Sequence, residues 1–164
     1  MRLSIAVLAL FFAVPTRASL IIVRHAERKD AKDDASLLSS KGKARAKDLS
    51  RVLASTDLKA VYCTEYMRTQ QTAAPTAEAK GLKPIVTTWE EASAALAPAL
   101  KARPPEDDVL VVGHTDTIPG LLKGLGVKQS VDLKAEDYDN LFIVTLRKDQ
   151  EPLFLRLHYG NPSR

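Results

Sequence analysis

The sequence is poor in the residues that form disulfides and bind metals. Its 164 residues include one cysteine, Cys63, and three histidines, and no CxxC or HxxxH spacing occurs. A lone cysteine excludes an internal disulfide, and the separated histidines give no metal-ligand cluster. Cys63 ends the run AVYC, where we expect a small buried hydrophobic residue. We therefore predict a protein with no metal site and no cofactor.

Neither sign of charge is in large excess, and aromatic residues are scarce. The formal net charge is +4, and two of the 24 basic residues, Arg2 and Arg17, lie in the first 18 positions. Without them, 22 Lys and Arg stand against 20 Asp and Glu, a net charge of +2. Aromatic residues make up 5% of the chain and do not alternate with basic residues in a stripe. This composition argues against a nucleic-acid partner.

No apolar run is long enough to cross a bilayer. The longest, residues 3–14 (LSIAVLALFFAV), has about a dozen residues, whereas a spanning helix needs ~20. Arg2 before this run and the small-x-small triplet at 16–18 after it are typical of a secretory signal peptide. We predict that residues 1–18 are a cleaved signal of a periplasmic or secreted protein with no stable membrane anchor. A buried N-terminal helix and a retained anchor are the alternatives.

The rest of the chain alternates between strand and helix patterns. The runs LIIV (20–23) and VLVV (109–112) are continuously apolar and rich in β-branched residues, as in strands buried on both faces of a parallel sheet. Weaker strand candidates are KAVYC (59–63) and KPIVTTW (83–89). Apolar spacing and capping residues predict helices over the segments between and after them, at 39–55, 68–81, 90–102 and 117–126.

This alternation predicts an α/β fold. We expect residues 19–164 to form a single domain, a three-layer α/β/α sandwich with a mostly parallel central sheet. The segment LFIVTLRKDQEPLFLRLHYG (141–160) predicts a C-terminal antiparallel hairpin. Its residues Leu153, Leu155, Leu157 and Tyr159 alternate onto one face, which indicates a hairpin with an exposed opposite side.

Charged and imidazole side chains follow three of the predicted strands. Arg24 and His25 follow the first, Arg68 begins the helix after the second, and His114 follows the fourth. Because ligands gather at the carboxyl ends of parallel strands, we expect these side chains to converge. Guanidinium groups match a tetrahedral dianion such as phosphate, and neighbouring cations keep an imidazole neutral and nucleophilic.

This ordered set resembles the histidine phosphatase superfamily. The pieces are RHAE (24–27), RTQQTA (68–73) behind a strand, and GH (113–114) after an apolar strand. LLSSKGKARA (37–46) also resembles the Leu-(Ser/Thr)-x-x-Gly helix start of that family. The likeness runs from about Leu20 to Tyr159 and is to the phosphoglycerate mutase-like and short phosphohistidine phosphatase-like members.

The resemblance implies a phosphatase that hydrolyses phosphate monoesters of small phosphorylated substrates. His25 would be the nucleophile that becomes phosphohistidine, and Arg24, Arg68 and His114 would hold the phosphoryl group. The implied enzyme is a metal-independent phosphomonoesterase of the histidine acid phosphatase type. Two alternatives stay open: a phosphomutase using the same intermediate, and a weakly catalytic exported phosphate-binding module. The absence of a long insertion after Arg68 favours the phosphatase.

The general acid has three candidates. In mutase-like relatives it is a Glu after the third strand, which here implies Glu90 or Glu91, and we favour Glu90. In phytase-like relatives an Asp follows the second histidine directly, but here Thr115 takes that position and Asp116 comes next. We place Asp116 among the substrate-binding residues and keep it as an acid candidate. A phosphohistidine phosphatase needs no acid, because a protonated P–N bond already has a good leaving group.

Four further features of the sequence bear on the pocket and its surroundings. Glu27 either orients Arg24 or His25 or faces solvent, and Trp89 is either a sugar platform or part of the core. The charged run ERKDAKDD (27–34) is expected to be a solvated loop that can form part of the pocket rim. His158 is expected on the surface without a chemical role. Substrate identity and oligomeric state are not encoded in any pattern we find.

Overall fold

A six-stranded mixed sheet forms the middle layer of the protein, in a computed structural model that describes residues 19–163. Its strands are β1 (Ser19–Arg24), β2 (Leu58–Thr64), β3 (Ile85–Thr87), β4 (Asp108–Gly113), β5 (Asn140–Thr145) and β6 (Leu153–His158). They lie in the order β3-β2-β4-β1-β5-β6, with β1 to β4 parallel and β5 and β6 antiparallel. The predicted parallel sheet and C-terminal hairpin are confirmed.

Five helices cover the two faces of this sheet: α1 (Ser40–Val52), α2 (Met67–Lys80), α3 (Trp89–Ala94), α4 (Leu96–Lys101) and α5 (Thr117–Leu125). Successive residues of β1 point to opposite faces. Ile21 packs in the apolar cluster that contains Leu49 of α1, while Ile22 packs in the cluster that contains Leu122 of α5. The result is the predicted three-layer α/β/α sandwich.

Helix α1 begins and α2 ends where the sequence predicts. The Ser39 hydroxyl accepts a hydrogen bond from the Gly42 N–H, and Gly81 closes α2 with φ 63°. Pro75, which predicted a kink or a late start, lies inside α2, and the late start is wrong because the helix already begins at Met67. Packing of α2 against α1 includes a hydrogen bond from the Ser50 hydroxyl to the Pro75 carbonyl. This packing keeps α2 helical although Pro75 removes one backbone hydrogen bond.

The predicted helix at 90–102 is two short helices. Thr88 caps α3, and the chain breaks at Ala95 before α4. Pro98 is the third residue of α4, a position where its missing N–H has no intrahelical partner to lose. The proline therefore fits the first turn of a new helix and not the middle of a long one.

The face of β6 that carries the alternating leucines is exposed, whereas the sequence predicted that this face is buried. The three leucines do share a face, but Leu153, Leu155 and Leu157 are 53%, 56% and 46% exposed, while Tyr159 after the strand is buried. The reason is topological: β6 is an edge strand, and an alternating pattern does not say which face a helix will cover.

In the part of the chain from residue 19 to 163, none of the helices has both the length and the apolar character required to cross a membrane. The predicted signal peptide, residues 1–18, lies outside the described residues.

Candidate active site

The carboxyl ends of β1 and β4 lie side by side and bring the two predicted histidines together. Arg24 pairs with Gly113, and the backbone N–H of His25 donates to the Gly113 carbonyl oxygen at 2.9 Å. The rings of His25 and His114 have centroids 5.4 Å apart. Parallel pairing of the two strands therefore places both imidazoles at one edge of the sheet.

A pocket of about 490 Å³ opens at this edge. Five residues predicted from the sequence line it, namely Arg24, His25, Arg68, His114 and Asp116. The rest of the lining consists of Arg28, Asp34, Tyr66, Trp89 and Thr115. The structure thus brings together the four residues on which the phosphate-site hypothesis depends, although they are far apart in sequence.

A larger groove, of about 720 Å³, lies at the other end of the sheet. Leu20, Leu100 and Leu125 form its apolar floor, and charged side chains such as Lys148 and Asp149 surround it. Its described lining residues include no histidine, the residue on which the phosphate-site hypothesis depends. We therefore place the chemistry in the smaller pocket.

His25 is held as a neutral imidazole with a defined proton. Its Nδ1 lies 2.8 Å from the Ala26 carbonyl oxygen. A carbonyl only accepts, so Nδ1 carries the hydrogen and Nε2 carries the lone pair. The pKa of His25 is lowered to about 2: burial is the largest cause, the hydrogen bond to Ala26 opposes it, and the charges of Arg24 and Arg68 add to the lowering. The side chain is 3% exposed and stays neutral at any working pH.

His114 is also neutral and is held from the side away from the pocket. Its Nε2 lies 2.8 Å from the Thr64 hydroxyl oxygen, in a buried contact. The pKa of His114 is lowered to about 4: burial is the largest cause, the charge of Arg68 adds to the lowering, and the charge of Asp116 opposes it. Because Nε2 is turned to Thr64, Nδ1 is the ring nitrogen that remains for a ligand.

Arg24 is fixed by backbone carbonyls of the loop before β5. Its Nη1 donates to the Ala135 carbonyl at 2.7 Å and to the Lys134 carbonyl at 3.1 Å. The guanidinium carbon lies 4.1 Å from the centre of the Tyr138 ring. Sequence patterns did not identify Tyr138, because residues 127–139 form no regular element and carry no motif. These contacts hold the arginine rigidly beside His25.

Arg68 is the second residue of α2, an unfavourable position for a cation with respect to the helix dipole. Its Nη1 donates to the Asp34 carbonyl at 2.7 Å, and its guanidinium lies 4.1 Å from the centre of the Tyr66 ring. The buried Nε atoms of Arg24 and Arg68 have no hydrogen-bond partner among the described residues. Buried donors of this kind are what a bound anion satisfies.

The loop after His25 supplies one more cation and one anion to the pocket. Arg28 donates through Nη2 to the Ala31 carbonyl at 2.8 Å, and its Nη1 lies 3.6 Å from Asp34 Oδ1. The Arg28 charge lowers the pKa of Arg68, whereas burial is the larger cause of that shift. The run 27–34, expected to form part of the rim, does so through Arg28 and Asp34.

The three candidate acids have different environments. Glu91 accepts the Thr88 backbone N–H at 2.8 Å and completes a capping box at the start of α3. Glu90 is exposed in the same first turn and is not among the residues that line the pocket. Its neighbour Trp89 does line the pocket and is partly exposed, so it is not a core residue. Asp116 is the one candidate acid in the lining.

Glu27 has neither of the roles considered from the sequence. It is buried and is bound by Arg45, whose Nη2 lies 2.7 Å from Oε1 and whose Nε lies 3.0 Å from Oε2. Arg45 also donates to the carbonyls of Tyr159 and Asn161. Glu27 therefore ties the loop after His25 to α1 and to the end of the chain.

Between residues 19 and 163 no group of three or more His, Cys, Asp or Glu side chains is arranged to hold a metal ion. Cys63 is buried, as expected, and burial raises the pKa of its thiol to about 11. His158 lies on β6, where its Nδ1 is 3.4 Å from Asp139 and its side chain is mostly exposed.

Comparison with known proteins agrees with this geometry. The model of the histidine phosphatase superfamily (branch 1) matches residues 20–91, and no curated protein matches the chain. A solved structure of the protein histidine phosphatase SixA with tungstate is 17% identical, with a TM-score of 0.66, and the alignment covers 85% of this chain and 96% of that one.

Two further solved structures share the fold. The mycobacterial glucosyl-3-phosphoglycerate phosphatase Rv2419c with VO3 is 15% identical over 85% of this chain and 97% of its own, with a TM-score of 0.65. The putative phosphohistidine phosphatase SixA from Agrobacterium tumefaciens is 15% identical over 89% of this chain and 99% of its own, with a TM-score of 0.62. At these identities the likeness establishes a shared fold.

Proposed function

We propose that this chain belongs to the histidine phosphatase superfamily, whose model matches residues 20–91, and hydrolyses phosphate monoesters through a phosphohistidine formed on Nε2 of His25. One observation carries the proposal. The Nδ1 of His25 is committed to the Ala26 carbonyl, so the lone pair on Nε2 belongs to a neutral ring in a pocket that Arg24, Arg68 and His114 also line. A neutral nucleophile among fixed cations is the arrangement that phosphoryl transfer needs.

In the first step Nε2 of His25 attacks phosphorus in line with the leaving oxygen. The N–P bond forms as the P–O bond to the leaving group breaks, and a proton passes to the leaving oxygen. Arg24 and Arg68 bind the phosphoryl oxygens, and His114 donates to them as phosphorus becomes planar. These groups are already fixed by loop carbonyls and by Thr64, so little reorganisation accompanies the reaction.

In the second step water attacks phosphorus and the N–P bond breaks. Phosphate leaves, and the lone pair returns to Nε2 of His25. We assign both proton transfers to Asp116, which donates to the leaving oxygen and then accepts from water. Its position in the pocket lining supports this assignment over Glu90, which lies outside the lining, and over Glu91, which caps α3.

The proposed chemistry is metal-independent and of the histidine acid phosphatase type. The positive field comes from Arg24, Arg28 and Arg68, whose guanidinium groups stay protonated throughout the working pH range. Neutral His25 and His114 require no deprotonation before the reaction, since their pKa values are about 2 and about 4. The site therefore stays competent in mildly acidic solution.

The comparisons favour a phosphatase over the two alternatives. The solved structures named above are described as phosphatases, one as a protein histidine phosphatase and one as a glucosyl-3-phosphoglycerate phosphatase, and none as a mutase. The open pocket has no long insertion that would enclose a substrate while it reorients. A catalytically weak binding module would not need the neutral nucleophile that His25 provides.

We also propose small phosphate esters as substrates and export from the cytoplasm. The pocket volume of about 490 Å³ and the side chains of Tyr66 and Trp89 at its wall suit a sugar or aryl group beside the phosphate. Export rests on the sequence of residues 1–18, which have the three parts of a secretory signal. The single domain at 19–164, like the absence of a nucleic-acid partner, stays a prediction.

The test is phosphate release from p-nitrophenyl phosphate by the full chain, combined with rapid quenching to trap phosphate on the protein. We expect turnover without added metal and an acid-labile, base-stable phosphoprotein. His25→Ala should abolish both signals. His158→Ala replaces an exposed histidine outside the pocket and is the matched control, which should keep wild-type turnover. Turnover that survives His25→Ala, or phosphate trapped on another residue, would refute the proposal.

A further inference from the structure

Two buried threonines lie behind His114, on the side away from the pocket. Thr64 ends β2 and Thr69 is in the first turn of α2, and they are 1% and 0% exposed. Their hydroxyl oxygens are 3.0 Å apart, and that of Thr64 is 2.8 Å from Nε2 of His114. The two hydroxyls and the imidazole thus form a chain of polar groups, each within hydrogen-bond distance of the next.

The direction of this chain decides which nitrogen of His114 carries the hydrogen. A neutral imidazole has one N–H, and the other nitrogen is an acceptor. If Nε2 held the hydrogen it would donate to Thr64, and Nδ1 would present a lone pair to the phosphoryl oxygens. Two lone pairs repel, so this form would oppose phosphate binding. A neutral His114 helps the reaction only when Nδ1 holds the hydrogen.

The hydroxyl of Thr69 leaves Thr64 free to act as a donor. It donates to the Tyr66 carbonyl at 2.7 Å and lies 3.0 Å from the Thr64 carbonyl. Thr69 therefore has acceptors of its own and does not need Thr64 as one. The hydroxyl hydrogen of Thr64 then has two acceptors in reach, Thr69 Oγ1 and His114 Nε2. When the imidazole hydrogen is on Nδ1, the buried Nε2 is an acceptor without a hydrogen. It is then the more costly of the two acceptors to leave unpaired, because Thr69 Oγ1 is satisfied by its own donation.

We propose that Thr64 donates its hydroxyl hydrogen to Nε2 of His114 and so keeps the imidazole hydrogen on Nδ1, where it is donated to the phosphoryl group. Thr64 is thereby a positioning residue that sets the tautomer and the orientation of His114. This inference rests on the proposed phosphatase function, since it assigns a task to His114 in that reaction.

The first test reads the tautomer directly. Nitrogen-15 spectra of the full chain, labelled at its three histidines and saturated with vanadate, report which nitrogen of each ring is protonated. His25→Asn and His158→Asn identify the other two rings. We expect a protonated Nδ1 and a hydrogen-bonded, unprotonated Nε2 for His114. A protonated Nε2 on His114 in the vanadate complex would overturn the proposal.

The second test is kinetic. Thr64→Val keeps the shape and removes the hydroxyl, and we expect kcat to fall roughly 10–100-fold, less than the 10²–10³ of losing a transition-state donor outright. KM should change less than about threefold, because His114 acts mainly in the transition state. Thr64→Ser should recover most of kcat and the tautomer, which a purely structural role would not require.

Thr76 provides the matched control. It is also fully buried, and its hydroxyl oxygen has no hydrogen-bond partner among the described residues. Thr76→Val should keep kcat within about twofold, since it makes the same substitution without breaking a chain. Equal kcat in Thr64→Val and Thr76→Val would overturn the inference, and the spectrum of the wild type decides it even if Thr64→Val does not fold.

The possible outcomes distinguish a failure of this inference from a failure of the proposed phosphatase function. A wild-type chain that neither turns over aryl phosphates nor responds to vanadate at His25 would remove the phosphatase proposal and the inference with it. An active wild type with vanadate-sensitive His25 signals, but with Nε2 of His114 protonated, would remove the inference and leave the phosphatase intact.

Discussion

The guanidinium of Arg45 encloses the carboxylate of Glu27, with Nη2 2.7 Å from Oε1 and Nε 3.0 Å from Oε2. Glu27 is two residues after His25, and Arg45 is 2% exposed in the middle of α1. The arrangement holds the Glu27 carboxylate in its charged form, because Arg45 lowers the pKa of Glu27 against the opposing effect of burial. The loop that leaves the active site is thus fastened by a buried ion pair.

Removing Arg45 should therefore cost far more than removing an exposed arginine. We expect Arg45→Ala to lower the free energy of unfolding by roughly 3–5 kcal/mol, because the buried Glu27 carboxylate would lose its hydrogen-bonded partner and keep the half-exposed Lys41, 3.5 Å from Oε1, as its ionic partner. Arg51 also lies in α1 and pairs with Asp48, but its side chain is 79% exposed. Arg51→Ala should change stability by less than about 0.5 kcal/mol. Urea unfolding of both variants measures the difference, and equal losses would contradict it.

Two helical glycines should respond in opposite ways to alanine. A Cβ at Gly42 would lie 2.2 Å from the Glu27 carbonyl oxygen, whereas a Cβ at Gly120 would meet nothing within 4 Å. Gly42→Ala should destabilise the protein by about 1–3 kcal/mol, because the backbone at Glu27 or at Gly42 must move to accommodate the added methyl group. Gly120→Ala should stabilise it by about 0.5–1 kcal/mol through lower chain entropy in the unfolded state.

Thermal melting of the two glycine variants measures the predicted changes in stability, and phosphatase assays measure kcat as a second property. Glu27 is close to His25 in sequence, so the displaced loop in Gly42→Ala should also reduce kcat. A Gly42→Ala protein with wild-type stability would show that the loop after β1 adapts more easily than the close approach implies.

The buried histidines should make stability depend on pH. The folded-state pKa values of His25 and His114 are about 2 and about 4, below the 6.5 of an unperturbed histidine. Between pH 6.5 and 4 the unfolded chain binds protons on both residues and the folded protein on neither. The free energy of unfolding therefore falls as the pH falls through this window.

His25→Asn should remove one of these two contributions. We expect the slope of unfolding free energy against pH, measured between pH 6 and 4, to decrease by up to roughly 1.4 kcal/mol per pH unit. His158→Asn, a change at an exposed histidine, is the control and should keep the wild-type slope. An unchanged slope in His25→Asn would mean that the ring of His25 is protonated in the folded protein.

The choice of general acid can be decided with two leaving groups. Asp116→Asn should lower kcat roughly 100-fold with an alkyl phosphate, whose leaving oxygen needs a proton. With p-nitrophenyl phosphate the rate of phosphoenzyme formation, measured by rapid quenching, should change little, because that leaving group departs unprotonated. Hydrolysis of the phosphoenzyme should slow equally with both substrates, because Asp116 also accepts the proton from water. Glu90→Gln should match the wild type on both substrates, since Glu90 lies outside the pocket lining. The reverse result would assign the acid to Glu90.

The sequence identified the strands and most helices because their signals are local. Continuous β-branched runs marked β1 and β4, and Ser39 and Gly81 marked two helix ends through their own backbone hydrogen bonds. It also placed Arg24, His25 and His114 at one edge, since parallel strands put their carboxyl ends on the same side. These inferences require the pattern of each segment and one general rule of sheet topology.

Other features depend on which segments become neighbours. Nothing local distinguishes the three leucines of β6 from core residues, and only the position of β6 at the sheet edge leaves them exposed. Likewise Tyr138 has no motif of its own, and it matters because the loop before β5 lies over Arg24. Choosing among Glu90, Glu91 and Asp116 needed distances across the fold, which a sequence pattern does not contain.

By itself the sequence determined the order of elements, the class of fold and the residues that meet in the proposed phosphate site. Propensity, capping and alternation act within a few residues, so they can be read along the chain. Tertiary structure alone decided the protonation of His25, the chain of hydroxyls behind His114 and the burial of Glu27 with Arg45. Those properties arise from burial and from contacts between segments distant in sequence, and both exist only once the chain has folded.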